Sequence, residues 1–234
     1  MPDLVLRVIS VRRATSSARI VRVDLGGASL RYRAGQLAMI GPEDGSARVP
    51  YSIASAPEET RADGALEFLI KTDAGTRWGT RFPPLRRGMR LAVRGPYGTF
   101  VFPSRPRERR FLFIAGGTGI APLRSMIRHV LLAKVSGTIR VLYSARTPGD
   151  FAYARELRVL ARMGAIGLSL TATRERPRGW RGSRGRIALS HLHPLVEDPA
   201  TLCFICGPAA MVADVPPMLR RLGIGDDRIL IEKW

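Results

Sequence analysis

Residues 48–52, with the sequence R-V-P-Y-S, place a cation, an aromatic ring and a hydroxyl along one short stretch of chain. Pro50 is excluded from helix interiors and biases the residue before it toward an extended conformation, so the stretch is predicted to be a strand. Side chains alternate along a strand, which puts Arg48 and Ser52 on one face and Tyr51 on the other. Such a strand could bind a phosphorylated ring cofactor, because Arg48 offers a positive charge, Tyr51 a ring to stack on and Ser52 a hydroxyl group. The alternative is an ordinary strand with a surface arginine and a half-buried tyrosine.

A second candidate site is the stretch G-G-T-G-I-A-P at residues 116–122, which follows an apolar run and precedes a helical pattern. Gly117 and Gly119 let backbone amides come close to an anion, and the start of a helix favours a phosphate group. Their spacing reproduces the first two glycines of the dinucleotide fingerprint, and Pro122 replaces the third and suits a first helical turn. The stretch predicts a phosphate-binding turn, with a purely structural glycine turn as the alternative.

Hydroxyl and basic side chains follow the next two predicted strands, at the sheet edge where ligands bind in such folds. Arg146 comes after one strand, and Thr173 and Arg174 come after the other. An NAD-preferring site would usually carry an acidic residue after the first of these strands to bind the ribose hydroxyls, and none is present. We therefore predict a preference for NADP over NAD. The alternative is that these arginines are incidental in an arginine-rich chain.

A fourth apolar strand is followed by the sequence C-G-P at residues 206–208. The small side chain of Cys206, ahead of Gly207 and Pro208, leaves room for a flat ring at the sheet edge. Cys203 and Cys206 also form a C-x-x-C, but residues three apart on a strand point to opposite faces. No metal site and no redox role is predicted for this pair.

The chain ends on Glu232, Lys233 and Trp234, which directly continue a predicted core strand. Trp234 is therefore expected to be ordered, although terminal residues are often frayed. Its indole could cover a flat cofactor, or it could pack at the junction between domains.

The chain of 234 residues has 38 basic and 19 acidic residues, giving a net charge of +19, and all but three of the basic residues are arginines. This excess attracts anionic partners, such as an acidic protein, nucleic acid or a phosphorylated cofactor. The charge is spread along the chain and no known nucleic-acid motif occurs, which argues against nucleic acid. No apolar run is long enough to span a membrane, and the N-terminus lacks signal-peptide features, so a cytoplasmic protein is expected.

The first hundred residues have the pattern of a small antiparallel β-barrel. Apolar and polar residues alternate as in half-buried strands, and glycine- and proline-containing turns separate the segments. Six strands are predicted, at residues 4–11, 19–25, 36–40, 49–54, 66–71 and 89–93. A single short helix is predicted at residues 76–82.

The pattern changes after a polar, proline-containing linker at residues 104–110. Apolar strands then alternate with helices, which is typical of a doubly wound parallel α/β sheet. Strands are predicted at residues 111–115, 139–144, 168–173, 202–206 and 228–232, and helices at residues 123–133, 151–163 and 211–222. We predict two domains, a barrel at residues 1–106 and an α/β domain at residues 107–234.

Together these segments resemble the ferredoxin–NADP reductase family over essentially the whole chain. Residues 48–55 look like the R-x-Y-S flavin motif of that family, and residues 95–100 look like its G-P-x-G-x-F loop. Residues 117–122 match its G-x-G-x-x-P turn, and residues 206–208 match its C-G-P. The chain also ends on an acidic residue, one residue and an aromatic, as members of the family do. The resemblance implies a flavin-binding barrel followed by a nicotinamide-dinucleotide domain.

For the flavin, the resemblance implies that Arg48 pairs with the phosphate, Tyr51 stacks on the isoalloxazine and Ser52 hydrogen-bonds the hydride-accepting nitrogen. Gly79 and Thr80 fall where the family has a Gly-Ser pair that supplies amides to the flavin phosphate.

For the nicotinamide dinucleotide, the resemblance implies that Thr118 and its neighbouring glycines bind the pyrophosphate. Thr173 and Arg174 are similar to the Ser-Arg pair that binds the 2′-phosphate of NADP in plant-type members. Cys206 and Glu232 would flank the path of the hydride.

Trp234 takes the place of a C-terminal aromatic that covers the flavin and must move before the nicotinamide can stack. The best-known family ending has tyrosine there, so tryptophan is a substitution of similar type. The chain also lacks the cysteine-rich iron–sulfur domain found in many oxygenase reductases, so the one-electron acceptor would be a separate protein or a domain of a partner subunit.

The implied function is hydride transfer between NADPH and FAD, followed by single-electron transfer with an acidic carrier such as ferredoxin or flavodoxin. FMN in place of FAD and NADH in place of NADPH are less favoured. A reductase subunit of a multi-component oxygenase or dehydrogenase complex is the alternative. A basic nucleic-acid-binding protein is a distant third.

Overall fold

The computed structural model describes residues 3–44, 47–72, 84–174 and 179–233. The helix predicted at residues 76–82 therefore lies outside the described residues. The chain divides into two compact units, of which unit 1 comprises Met1–Phe102 with Arg124–Ala133 and unit 2 comprises Pro103–Leu123 with Lys134–Trp234. In the described part of the chain, no helix is long and apolar enough to cross a lipid bilayer.

Unit 1 contains a six-stranded antiparallel sheet. Its strands are β1 (Leu4–Arg13), β2 (Ala18–Asp24), β3 (Leu37–Pro42), β4 (Val49–Ser52), β5 (Ala65–Lys71) and β6 (Arg90–Tyr97). Their order in the sheet is β4-β3-β6-β1-β2-β5. An isolated antiparallel bridge between Ile53 and Phe68 joins the two outer strands, and the Ala54 amide donates to the Glu67 carbonyl at 2.7 Å. These contacts close the sheet, and the predicted barrel fold is confirmed.

The barrel strands form because each one presents a row of apolar side chains to the interior. In β2, Val21 and Val23 are buried and Arg22 between them is partly exposed, which is the alternation expected of a strand with one face in the core. The buried core of the barrel comprises Leu6, Val8, Val21, Val23, Leu25, Ala38, Ile40, Val49, Ile53, Leu66, Phe68, Ile70, Leu91 and Val93.

Helix α1 (Pro57–Asp63) lies between β4 and β5 and was not predicted from the sequence. Pro57 stands in its first turn, where a missing N–H leaves no intrahelical bond unmade. The Glu59 carboxylate accepts a hydrogen bond from the Ala56 amide at 2.8 Å, which satisfies one free N–H group at the helix start. Gly64 ends the helix with a φ of 65°. The seven-residue helix is too short to show a clear helical period in the sequence.

Unit 2 contains a six-stranded parallel sheet. Its strands are β7 (Arg110–Gly116), β8 (Thr138–Ala145), β9 (Gly167–Ala172), β10 (Ser183–Arg184), β11 (Leu202–Gly207) and β12 (Ile229–Lys233). Their order is β10-β9-β8-β7-β11-β12, and every neighbouring pair is parallel. The predicted α/β class is confirmed. The two-residue strand β10 was missed because so short a segment has no sequence pattern of its own.

Four helices accompany this sheet along the chain. They are α2 (Ile120–Leu132), α3 (Ala154–Arg162), α4 (Leu189–Leu192) and α5 (Ala209–Arg221). Helix α3 begins three residues later than predicted, because Tyr153 before it has a φ of 58°, in the left-handed region. Helix α2 begins in unit 2, and its residues from Arg124 onward belong to unit 1.

Phe68 is fully buried in the barrel at the bridge that closes the sheet. Phe68→Ala is expected to lower the free energy of unfolding by about 3–5 kcal/mol, because it removes buried apolar area and leaves a cavity. The matched control is Val5→Ala on β1, where the side chain is 39% exposed and the loss should stay below about 1 kcal/mol. Urea-induced unfolding of both variants measures the difference. Equal losses would contradict the role of Phe68 in closing the barrel.

Candidate functional site

The carboxyl ends of β7, β11 and β12 bring two of the predicted catalytic residues together. The strand register pairs Ala115 with Cys206, and Cys206 with Glu232. Paired residues on neighbouring strands present their side chains on the same face, so Cys206 and Glu232 are neighbours on one face of the sheet. Cys206 is buried and Glu232 is half-buried. Burial raises the pKa of Glu232 above its ordinary value, which favours a carboxyl group that can carry a proton.

The glycine turn between β7 and α2 has the geometry of an anion-binding turn. Gly117 has a φ of 54°, and a Cβ built on it would meet nothing within 4 Å, so the space in front of its backbone is open. A Cβ on Gly119 would collide with the Cys206 carbonyl oxygen. Thr118 between them is half-buried. One glycine therefore leaves room for a ligand, and the other lets the start of α2 pack closely against the end of β11.

Tyr143 on β8 holds the glycine turn in place through a hydrogen bond to its backbone. Sequence analysis missed this residue. Its hydroxyl donates to the Gly117 carbonyl at 2.8 Å and accepts from the Ala152 amide at 3.1 Å. Its ring packs edge-on against Phe151, with centroids 4.9 Å apart. Burial raises the pKa of Tyr143 well above its usual range, so the hydroxyl remains a donor. The signal was a tyrosine that directly follows the apolar residues Val141 and Leu142 in a predicted strand, because a buried hydroxyl needs a partner.

The C-G-P turn packs directly against the glycine turn. A Cβ on Gly207 would lie 3.0 Å from the Gly116 Cα, and a Cβ on Gly116 would lie 2.7 Å from the Pro208 Cδ. A side chain at either glycine would also collide with Met211, so the two turns and the Met211 side chain are packed closely together. Pro208 is exposed beside them. Pro122, two residues into α2, is buried. Of the predicted residues, Gly207 and Pro208 therefore pack against the glycine turn, and Pro122 lies in the helix that follows it.

The arginines predicted to recognise a phosphate lie at the ends of β8 and β9. The Arg174 amide donates to the Arg146 carbonyl at 2.9 Å, and the Thr173 amide donates to the Ala145 carbonyl at 2.9 Å. Both arginine side chains are exposed and Thr173 is half-buried. The backbone pairing therefore continues past the strands and places the three predicted residues at one edge of the sheet.

The two cysteines are buried and form no disulfide. Burial raises the pKa of the Cys203 thiol to about 12, which makes that thiol inert. The described part of the chain contains no cluster of three or more histidine, cysteine or acidic side chains that could bind a metal ion.

In unit 1, Ser52 lies at the end of β4 and is 4% exposed. Its Oγ is buried and has no hydrogen-bond partner among the described residues. A buried hydroxyl without a partner costs free energy, so this atom is suited to a ligand.

The Arg48 guanidinium forms a salt bridge with Asp3 of the same chain. Its Nη2 lies 2.5 Å from Asp3 Oδ2, and Arg94 donates to both oxygens of Asp3 at 2.7 and 3.0 Å. The hydrogen bond from Arg94 and the nearby charge of Arg48 hold the pKa of Asp3 below its ordinary value. The chain has two residues between Arg48 and Tyr51, whereas R-x-Y-S has one. The position two before Tyr51 is Val49, which is 3% exposed in the barrel core.

Tyr51 is half-buried and packs against the barrel core. It is paired with Ala38 in the β3–β4 ladder, whereas Ser52 is paired with Leu37, so the two side chains point to opposite faces. Gly79, Thr80 and Trp234 lie outside the described residues.

Comparison with known proteins assigns both parts of the chain. Residues 5–102 match the family model described as oxidoreductase FAD-binding domain, and residues 113–216 match oxidoreductase NAD-binding domain. Ferredoxin–NADP reductase B of Sorangium cellulosum (strain So ce56) is 32% identical over 241 residues, which cover 97% of this chain and 96% of the relative. The chain belongs to the ferredoxin–NADP reductase family.

Other proteins that are similar to this chain include components of oxygenase systems. The ferredoxin reductase component of 3-ketosteroid-9-alpha-monooxygenase from Mycolicibacterium smegmatis is 31% identical over 98% of this chain and 65% of the relative. A solved cytochrome P450 reductase from Amycolatopsis is 25% identical with a TM-score of 0.83, covering 99% of this chain and 69% of that chain.

A solved ferredoxin NADP+ reductase from Neisseria gonorrhoeae with bound FAD and NADP shares the fold at a TM-score of 0.84. It is 19% identical to this chain, and the match covers 100% of this chain and 99% of that chain.

The residues of this oxidoreductase fit both of the groups that its domains imply. In the FAD-binding domain, the buried Ser52 Oγ offers an unused hydrogen-bonding atom. In the NAD-binding domain, the open space at Gly117 lies beside the first amides of α2, which are suited to a pyrophosphate.

Gly117→Ala would place a methyl group in the open space of the turn. We expect the dissociation constant for NADPH to rise about tenfold or more, because a phosphate could no longer approach the backbone amides. The control is Gly164→Ala, since Gly164 has a φ of 72° and also meets nothing within 4 Å. Both variants should lose about 1 kcal/mol of stability from left-handed strain. Nucleotide titration and urea unfolding separate the two effects, and equal NADPH affinities would contradict the assignment of the turn.

The raised pKa of Glu232 predicts a pH-dependent stability. The folded state binds the carboxyl proton more tightly than the unfolded state, so the free energy of unfolding should fall as pH rises from the ordinary pKa of 4.5 through the folded value. Glu232→Gln removes this titration, so the wild type should lose stability relative to the variant across that interval. Urea unfolding between about pH 4 and about pH 8 tests it. A difference that does not change with pH would refute the prediction.

Proposed function

We propose that this protein transfers a hydride between NADPH and FAD, and single electrons between FAD and a separate acidic carrier such as ferredoxin or flavodoxin. The observation that carries the proposal is that one chain contains an FAD-binding and an NAD-binding domain. The first has a buried hydroxyl without a partner among the described residues, and the second has open space at Gly117. Bound FAD would supply the exchange between two-electron and one-electron transfer. The protein supplies binding, orientation and exclusion of water.

At the flavin, Ser52 would direct its buried hydroxyl to the hydride-accepting nitrogen, and Tyr51 would stack on the ring. Arg48, with Gly79 and Thr80, would bind the flavin phosphate. Arg48 already donates to Asp3 through Nη2, so its remaining N–H groups would bind the phosphate. Trp234 would cover the other face of the ring. The match to the FAD-binding family model supports FAD rather than FMN as the proposed flavin.

At the nicotinamide dinucleotide, Gly117, Thr118 and Gly119 would bind the pyrophosphate through backbone amides. Cys206 and Glu232, neighbours on one face of the sheet, would flank the nicotinamide. Gly207 and Pro208 would leave room for its ring.

Arg146, Thr173 and Arg174 would bind the 2′-phosphate that distinguishes NADPH from NADH. Their position at the ends of β8 and β9 and the exposure of both guanidinium groups support this role. Exposed guanidinium groups are suited to bind a phosphate monoester, because arginine forms charge-assisted hydrogen bonds to it.

The net charge of +19 supports an acidic protein as the one-electron partner. A positive surface speeds encounter with a negative one, and salt weakens this effect. The second candidate is a reductase component that delivers electrons to an oxygenase. It is favoured by the 31% identity to a 3-ketosteroid-9-alpha-monooxygenase reductase component over nearly the whole chain.

The test is the reduction of bound flavin by NADPH and by NADH, followed in a stopped-flow spectrometer. We expect NADPH to be preferred, and Arg174→Gln to lower the ratio of NADPH to NADH affinity about tenfold, because it removes charge-assisted hydrogen bonds to the phosphate.

The control variant for this test is Arg158→Gln, which removes the same charge from an exposed position on α3. It should leave the ratio unchanged. Absence of flavin absorption in the purified protein, or no bleaching by NADPH, would overturn the proposal. Faster reduction by NADH would overturn the phosphate-binding role of Arg174.

A further inference from the structure

The chain that follows Ser52 is fixed by side chains from a distant part of the sequence. Ser52 itself pairs with Leu37 in the β3–β4 ladder. The next two residues cross to β5, where Ile53 bridges Phe68 and the Ala54 amide donates to Glu67. The backbone carbonyls of Ala54 and Ser55 then accept hydrogen bonds from the part of α2 that belongs to unit 1.

Arg124 makes the first of these contacts. Its Nη1 donates to the Ala54 carbonyl at 2.8 Å and to Glu59 Oε2 at 3.0 Å, and its Nη2 donates to Glu59 Oε1 at 3.2 Å. The residue is 8% exposed. A planar guanidinium presents its donors in a fixed fork, so the carboxylate of Glu59 determines where the group pointing at Ala54 lies.

Glu59 is in turn held in place from several directions. It accepts from the Ala56 amide at 2.8 Å and from Arg128 Nε at 2.8 Å. Burial alone would raise the pKa of Glu59, but Arg124, the Ala56 amide and Arg128 hold it below its ordinary value. The carboxylate therefore stays charged and keeps Arg124 oriented.

Ser125 makes the second contact with the segment. Its Oγ, on a fully buried residue, donates to the Ser55 carbonyl at 2.7 Å. The same carbonyl accepts from the Tyr32 hydroxyl at 2.9 Å. Ser55 Oγ also accepts from the Glu67 amide at 3.0 Å. Both backbone carbonyls that follow Ser52 by two and three residues are thus bound by adjacent residues of one helix.

We propose that Arg124 and Ser125 are positioning residues for Ser52, because they fix the backbone just after it and so set the direction of its buried hydroxyl. This inference rests on the proposed function, in which that hydroxyl meets the flavin. The Ser52 Oγ has no partner among the described residues, so its own hydrogen bonds do not fix it. Its position follows from the backbone on either side.

The experiment compares Arg124→Lys with Val8→Ala. Lysine keeps the charge but lacks the paired, planar N–H donors of arginine, so it cannot bind Ala54 and both oxygens of Glu59 at once. Val8→Ala lowers stability by removing buried apolar area from β1, and it leaves the side chains that bind Ala54, Ser55 and Glu59 unchanged. The readouts are the absorption bands of bound FAD, the dissociation constant of FAD from the protein, and the unfolding midpoint of the protein without added FAD.

We expect Arg124→Lys to shift the flavin bands and to raise the dissociation constant for FAD about tenfold, because a hydrogen bond to the flavin is misdirected. Val8→Ala should leave the bands unchanged even where its unfolding midpoint falls equally. Ser125→Ala serves as a second variant should Arg124→Lys fail to fold, and it should shift the bands in the same way.

Identical bands in wild type, Arg124→Lys and Ser125→Ala would overturn the inference and leave the proposed function intact. Changes in FAD affinity that simply follow the loss of stability in all three variants would also overturn it. A wild-type protein that binds no FAD would instead refute the proposed function, and with it the premise of the inference.

Discussion

The buried ion pair between Arg124 and Glu59 is the interaction on which the arrangement of unit 1 depends. Two charges removed from water are costly unless each finds good partners, and removing one partner is strongly destabilising. Here the partners are complete, since Arg124 also binds the Ala54 carbonyl and Glu59 also binds the Ala56 amide. The pair therefore orders three elements at once, namely α1, the segment after β4 and the second part of α2.

The many other arginines of the chain have a different role. Pairs such as Arg22 with Asp63 and Arg220 with Asp226 are largely exposed, and such pairs contribute little to stability because solvent screens them. Arg124 is the one arginine that is buried among the described residues. The surface arginines instead contribute to a positive electrostatic field around the protein. One residue type thus has two functions, and burial decides which applies.

The sequence predicts features that depend on neighbouring residues, such as strands and turns. It does not predict contacts between residues that are far apart in the chain. Alternation in β2 and the apolar runs of β7 and β11 predicted both sheets, and the glycine turn was read from its own residues. Helix α1 is too short to show a period. The contact of Arg124 with Glu59 joins residues 65 apart in the sequence, and nothing local separates this arginine from the others. For the same reason, Arg48 could not be placed beside Asp3 before the strands were paired.

This difference between local and distant determinants extends to the two proposed cofactor positions. At Gly117 the proposed feature is the backbone of one turn, held by a hydrogen bond from the Tyr143 hydroxyl. At Ser52 it is a buried hydroxyl with no hydrogen-bond partner among the described residues, which costs about 1–3 kcal/mol when no ligand binds it. A strand end carrying that cost would relax toward a conformation that solvates the hydroxyl, unless the backbone around it were fixed. The bridge at Ile53 and the contacts of Arg124 and Ser125 oppose this relaxation. On the proposed role of Ser52, the network of buried polar groups behind it would keep this hydroxyl in the orientation that the flavin requires.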